Sequence, residues 1–148
     1  TGAPMQMKMT IAELEGVLSR EFPQVHDRYK ITQLQPNQIT AIMPIAEADL
    51  RPGGTVSGPS MFGLADVAFY LATMAMIGPQ TLTVTTNCSI NFMRRPEGQG
   101  YIRAEARILK LGRTLSVGDV MLFSNDGALP VAHATMTYAI PPSRYEVK

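Results

Sequence analysis

The residue most clearly placed for chemistry is Asp66. It is the one charge within residues 57–78, S-G-P-S-M-F-G-L-A-D-V-A-F-Y-L-A-T-M-A-M-I-G, a run that is otherwise almost wholly apolar. An isolated carboxylate among apolar side chains is costly unless it is paired, protonated or used. If used, it is a base or a nucleophile, because a poorly solvated carboxylate is a better proton acceptor. If not used, it is a structural aspartate bonded to backbone or to a neighbouring hydroxyl, and residue types alone weigh the two readings evenly. Gly58 is the second candidate. At the start of a helix, free N–H groups and the positive dipole end can stabilise negative charge developing on a carbonyl oxygen. Pro59 has no N–H, so Gly58 is the natural donor, although Gly58-Pro59 is equally a plain helix start.

The remaining reactive side chains carry less. His26 falls in a connector and reads as a solvated loop residue, while His133 lies mid-strand among threonines and reads as structural or superficial. The lone cysteine, Cys88, reads as a small buried hydrophobe. The sequence offers no metal-ligand spacing, no phosphate-cradling glycine loop and no basic stripe for nucleic acid, so no metal and no bound cofactor are expected.

Asp66 and Gly58 must be positioned by a helix. Ser57 can cap it, Pro59 suits its first turn and Gly78-Pro79 stops it, giving five to six turns at about 3.6 residues per turn. A helix apolar on all sides is buried on all sides. A membrane span of this length conflicts with the central Asp66, the lack of a basic flank and the alternating strands that follow. Ahead of it, Thr10-Ile-Ala-Glu13 has capping-box spacing and opens a short amphipathic helix over residues 10–21, with Ile11, Leu14, Val17 and Leu18 on one face. Residues 29–34 and 38–45 read as strands joined at Gln35-Pro36-Asn37, and residues 46–54 as a polar approach to the central helix. Four strands follow, over residues 81–93, 101–111, 114–123 and 131–140, with Asn125-Asp-Gly127 as a hairpin turn. In the last, Val131, His133, Thr135 and Thr137 face opposite to Ala132, Ala134, Met136 and Tyr138.

This order predicts an α+β domain with a long antiparallel sheet around one apolar helix. One sheet face cannot cover such a helix, so the sheet must curl around it or a second subunit must cover the rest, and both are expected. With 148 residues and a net charge of +1, the chain forms one domain with a real core and no polyanion-binding surface. Residues 1–4, T-G-A-P, read as additions ahead of a native start at Met5, leaving residues 5–148 as the domain. No secretory signal is visible, and a single cysteine fits a reducing compartment, which together predict a cytoplasmic protein.

The central stretch resembles the hotdog-fold acyl-CoA thioesterases, within them the PaaI-like (phenylacetate-degradation) group. That group carries Asn or Gln, then a Gly, then His-Gly-Gly, four residues, and Leu-Ala-Asp. Here the run from Arg51 through Ser57-Gly58-Pro59 to Leu64-Ala65-Asp66 matches without a gap. The strand T-N-C-S-I-N-F-M-R-R-P and the L-G-R-T hairpin at Leu111 also resemble the group, and the likeness spans residues 28–140. Leu64, Ala65, Asp66 and Gly58 are kept. Ser57 stands for the family's His, Pro59 for its second Gly and Arg51 for its Asn or Gln.

The resemblance implies a thioester hydrolase with Asp66 as base or nucleophile, the Gly58 N–H as oxyanion donor and Thr86 near the attacking water. Ser57 and Pro59 lie in the altered substrate loop. Arg51, Arg94, Arg95 and Arg113 suit the phosphates of CoA, which enters as part of the substrate. Gly58 and Asp66 are eight residues apart, about 12 Å along one helix, too far to act on one carbonyl. If both act, they come from different subunits. This predicts a homodimer with interfacial sites, or a homotetramer built as a dimer of dimers, with no membrane or nucleic-acid partner. Two other readings stand beside it: a hotdog domain that binds acyl-CoA or another apolar ligand without turnover, and a hotdog dehydratase or hydratase, whose chemistry usually needs a His paired with the acid.

Overall fold

The structure, a computed structural model, describes residues 6–25 and 27–142. His26 and residues 1–4 lie outside the described residues. The order of elements is α1 (Ile11–Glu21), β1 (Lys30–Gln35), β2 (Gln38–Pro44), a 3-10 turn (Glu47–Asp49), β3 (Leu50–Arg51), β4 (Thr55–Val56), α2 (Gly58–Ile77), β5 (Val84–Phe92), β6 (Tyr101–Leu111), β7 (Leu115–Ser124) and β8 (Ala132–Ala139).

Six strands form one antiparallel sheet in the order β1-β2-β6-β7-β8-β5. The hairpin β3–β4 stands apart from it, within the approach to α2 that the sequence presents only as a polar connector. Residues 81–83 turn rather than extend. The helix stops at Gly78 (φ 98°), and the Thr83 N–H bonds to the Gln80 carbonyl at 3.1 Å before β5 begins.

The sheet curls around α2 because its inner face is lined with small side chains. Ala41, Ala104, Ala106, Ala132 and Ala134 are all buried there and let the helix approach closely. At Gly118 the Phe69 ring occupies the space a Cβ would need, 2.6 Å from its position. Leu64, Ala65, Ala68, Phe69, Leu71 and Met74 of α2 fill the resulting core with Ile39, Met43, Ile102, Val120, Leu122 and Met136. By length and composition α2 could cross a membrane, but 67% of that window is buried inside the fold. α1 is opened by the Thr10–Glu13 capping box and packs Leu14, Val17 and Leu18 into the same core.

Cover is incomplete along one stripe. Residues 59, 62, 63, 66 and 67 of α2 remain exposed or half-buried, at i, i+3, i+4, i+7 and i+8 spacing. Phe62 and Asp66 lie on this stripe. Beside it runs β5, a nine-residue strand at the sheet edge, whose Cys88 and Ile90 are only half-buried although they face inward.

Candidate active site

Asp66 sits in the middle of α2, half-buried, where three elements meet. Its Oδ1 accepts hydrogen bonds from the Tyr138 hydroxyl at 2.5 Å and from the Thr85 hydroxyl at 2.7 Å. The Tyr138 oxygen also lies 2.9 Å from the Asp66 carbonyl oxygen. Thr85 and Tyr138 are direct partners in the β5–β8 ladder, so the sheet delivers both hydroxyls to one point under the helix. Burial, then the adjacent Asp66 charge, pushes the Tyr138 phenol far up, so it is neutral and available to donate.

The site opens on a cavity of about 250 Å³ lined by Leu18, Phe22, Val67, Tyr70, Thr83 and Val84 as well as by Asp66, Thr85 and Tyr138. Apolar walls with a few convergent polar groups suit a small organic ligand. Cys88 lies nearby on β5. Burial, then the Asp66 charge, pushes its thiol up, which keeps it protonated and unreactive.

The hydroxyl that reaches Asp66 is that of Thr85. Thr86, the sequence candidate, donates instead to the Thr137 carbonyl at 3.2 Å and is exposed. A β-bulge causes the difference. The β5–β8 register shifts between Thr85 and Asn87, which reverses the phase set by Cys88 and Ile90 and turns Thr85 inward.

At the helix N-terminus, Ser57 is the cap: its Oγ accepts the Ser60 N–H at 3.3 Å. Gly58 opens α2 against Phe92, whose ring lies 3.3 Å from where a Gly58 Cβ would stand. Pro59 follows and is exposed. This end is fastened by Asp49, which sequence reasoning missed. Its carboxylate is buried and takes Arg28 at 2.5 and 3.0 Å, the Ala46 N–H at 2.8 Å and the Ser60 hydroxyl at 2.8 Å, while its carbonyl accepts the Ser57 N–H at 2.7 Å. Burial alone would raise the Asp49 carboxyl, but Arg28, Ala46 and Ser60 together hold it below its ordinary value.

The arginines divide between the two ends of the helix. Arg51 is exposed on β3, and Arg95 lines a groove of about 610 Å³ beside the β3–β4 hairpin with Gly54 and Thr55. Arg94 donates to the Pro130 carbonyl at 2.7 Å. Arg113 lies at the other end, in a groove of about 990 Å³ with Met76 and Ile77. His133 is on the outer face of the sheet, its Nε2 3.0 Å from Asp119, opposite to the face that holds Asp66. Among the described residues, no group of three or more His, Cys, Asp or Glu could hold a metal ion.

A long antiparallel sheet curled around one apolar helix, with a carboxylate at mid-helix beside a cavity, defines a hotdog-fold domain of the thioesterase type. The chain belongs to the thioesterase superfamily: residues 53–131, just over half of its length, match that family. It is 48% identical to a Silicibacter sp. TM1040 protein provisionally described as a thioesterase, covering 94% of this chain and 96% of that one at a TM-score of 0.87. It is also similar to the phenylacetic acid degradation protein PaaI from Thermus thermophilus, crystallised as a mutant, with 28% identity, coverage of 80% and 99%, and a TM-score of 0.69. A hypothetical thioesterase from Streptococcus pneumoniae TIGR4, solved with coenzyme A, shares the fold at 20% identity, coverage of 89% and 97%, and a TM-score of 0.71.

Proposed function

We propose that this protein is a cytoplasmic acyl-CoA thioesterase, with Asp66 as base or nucleophile. As base, Asp66 takes a proton from water as the water oxygen bonds to the thioester carbonyl. The tetrahedral intermediate collapses with cleavage of the C–S bond, releasing the acid and CoA, whose thiolate takes the proton from Asp66 and restores the base. The observation that carries this reading is the placement of Asp66: anchored by two hydroxyls, free of any cation among the described residues, and opening on a cavity of about 250 Å³ fit for an acyl group. The oxyanion donor is the Gly58 N–H of the partner subunit in a homodimer, or in a dimer of dimers. The exposed stripe of α2 and the bare edge of β5 support such pairing, since an unpaired edge strand with apolar flanks is a template for another strand. Val84 and Phe92 on this edge, and Leu82 in the turn before it, are 55, 49 and 57% exposed. Arg51, Arg95 and Arg113 are proposed for the CoA phosphates, with Ser57 and Pro59 shaping the substrate loop and Thr85, in place of Thr86, holding Asp66 beside the water.

Release of free thiol from aryl and medium-chain acyl-CoA esters tests this. Turnover by the wild type, reduced at least tenfold in Asp66→Asn (about 1.4 kcal/mol in the barrier), is expected. No turnover of any ester by a protein that still binds CoA would replace the hydrolase with a binding domain. A dehydratase is disfavoured by His133, which bonds to Asp119 on the far face of the sheet.

A further inference from the structure

We infer that Tyr138 is the positioning residue for Asp66, an inference that rests on the thioesterase reading above for its catalytic consequence. A carboxylate on a helix can rotate about its side-chain bonds, and a base must hold one oxygen toward its proton donor. Here Tyr138 and Thr85 both donate to Oδ1, and neither engages Oδ2. The carboxylate is therefore gripped by one oxygen and keeps the other for the proton.

Tyr138 is the firmer of the two grips. It is 3% exposed, whereas Thr85 is exposed on an edge strand. Its ring is packed 5.6 Å from Phe69 and 6.1 Å from Tyr70, both on α2. Its strand, β8, is paired on both sides, by β7 and β5. Its oxygen contacts both the side chain and the carbonyl of Asp66. A phenol locked in this way fixes the distance between sheet and helix at the reacting carboxylate. Such a role needs a tyrosine: phenylalanine keeps the packing and loses the grip.

The test compares wild type, Tyr138→Phe and Thr85→Ala by acyl-CoA hydrolysis across pH, with a crystal structure of Tyr138→Phe. Loss of a donor to the charged carboxylate moves the acid limb of the kcat profile to higher pH. Expected for Tyr138→Phe are that shift, a fall in kcat of at least tenfold with KM within twofold, and an Asp66 carboxylate rotated from its wild-type position. Thr85→Ala is expected to show the same pattern with a smaller fall in kcat. An unmoved acid limb with kcat within twofold, or a fall in kcat and thermal stability with the acid limb and the Asp66 carboxylate unmoved, overturns the inference. If the wild type turns over no ester, the thioesterase reading fails, and the crystal structure alone decides: a rotated carboxylate upholds the positioning role and an unrotated one overturns it.

Discussion

Two aspartates flank the first half of α2 and are treated oppositely by the fold. Asp49, before the helix, is buried and saturated: a guanidinium, a backbone N–H and a hydroxyl surround its two oxygens. Asp66, two turns into the helix, has only hydroxyl donors, both on one oxygen, and faces a cavity. A carboxylate fully satisfied by a cation gains nothing by taking a proton, so Asp49 serves as a fastener. A carboxylate held by neutral donors is fixed in place yet still able to accept one. The contrast shows that partners, more than burial, separate a structural acid from a candidate base: Asp49 is the more buried of the two, and the less available.

The comparison is broken most forcefully at Asp49. Asp49→Ala leaves Arg28 unpaired and releases Ser60 and Ala46 from the helix start. Because Arg28 keeps some contact with water, the loss expected is about 3 kcal/mol, the lower end for a broken buried pair. Urea unfolding measures it, and an unchanged midpoint would refute the fastening role. Asp66→Asn should behave in the reverse way. The amide oxygen can still accept from both hydroxyls, so stability should stay within about 1 kcal/mol of the wild type while thiol release falls at least tenfold.

The sequence signals differ for the two acids, and so did their legibility. Asp66 is visible because it is the lone charge in an apolar helix whose caps, Ser57 and Gly78, are themselves readable. The interior strands are visible through alternation, as in β6, with Arg103, Glu105 and Arg107 against Ile102, Ala104 and Ala106. Asp49 lies in a polar connector, and its main partner is 21 residues away, a distance over which local pattern carries nothing. Strands β3 and β4 have two residues each, too few for a period. Tyr138 shares its face with Ala132, Ala134 and Met136 and so reads as core. Only the ladder with β5, and a hydrogen-bond acceptor 72 residues upstream, reveal its hydroxyl as part of the site.

The pH dependence of stability sharpens the same contrast at both extremes. At the acid end, burial raises Asp49 but Arg28 and its other donors win, holding its carboxyl below the ordinary 3.8. A depressed carboxylate contributes stability that is present above the unfolded value and is lost as pH falls through the folded one. Urea midpoints should therefore drop steeply below about pH 4, and less steeply in Asp49→Asn. A mutant as acid-sensitive as the wild type would place the cause elsewhere, with Asp119, which burial raises and Arg107 and His133 hold low, as the next suspect. At the alkaline end, burial and then the charge of Glu21 push the Tyr70 phenol up to about 12. A raised phenol contributes stability that is whole below its ordinary value of 10.0 and is lost as pH rises through the folded one. Tyr70→Phe should flatten that loss.

The smallest expected effect tests the bulge in β5. A regular strand carrying Cys88 and Ile90 inward would also carry Thr86 inward, and Thr86 is the residue the family pattern points to. The extra residue between Thr85 and Asn87 reverses that phase, so the hydroxyl of Thr85 meets Asp66 while that of Thr86 bonds to the Thr137 carbonyl. Thr85→Val and Thr86→Val differ by one position and remove the same group, so any difference between them reports the phase of the strand. Thr85→Val should lower kcat about threefold more than Thr86→Val, or about 0.65 kcal/mol in the barrier. The loss is modest because Tyr138 still holds Oδ1. Equal losses would mean that both hydroxyls serve the water, one through Asp66 and one directly. A larger loss at Thr86 would mean that the strand straightens when a partner edge pairs with β5, returning Thr86 to the inner face.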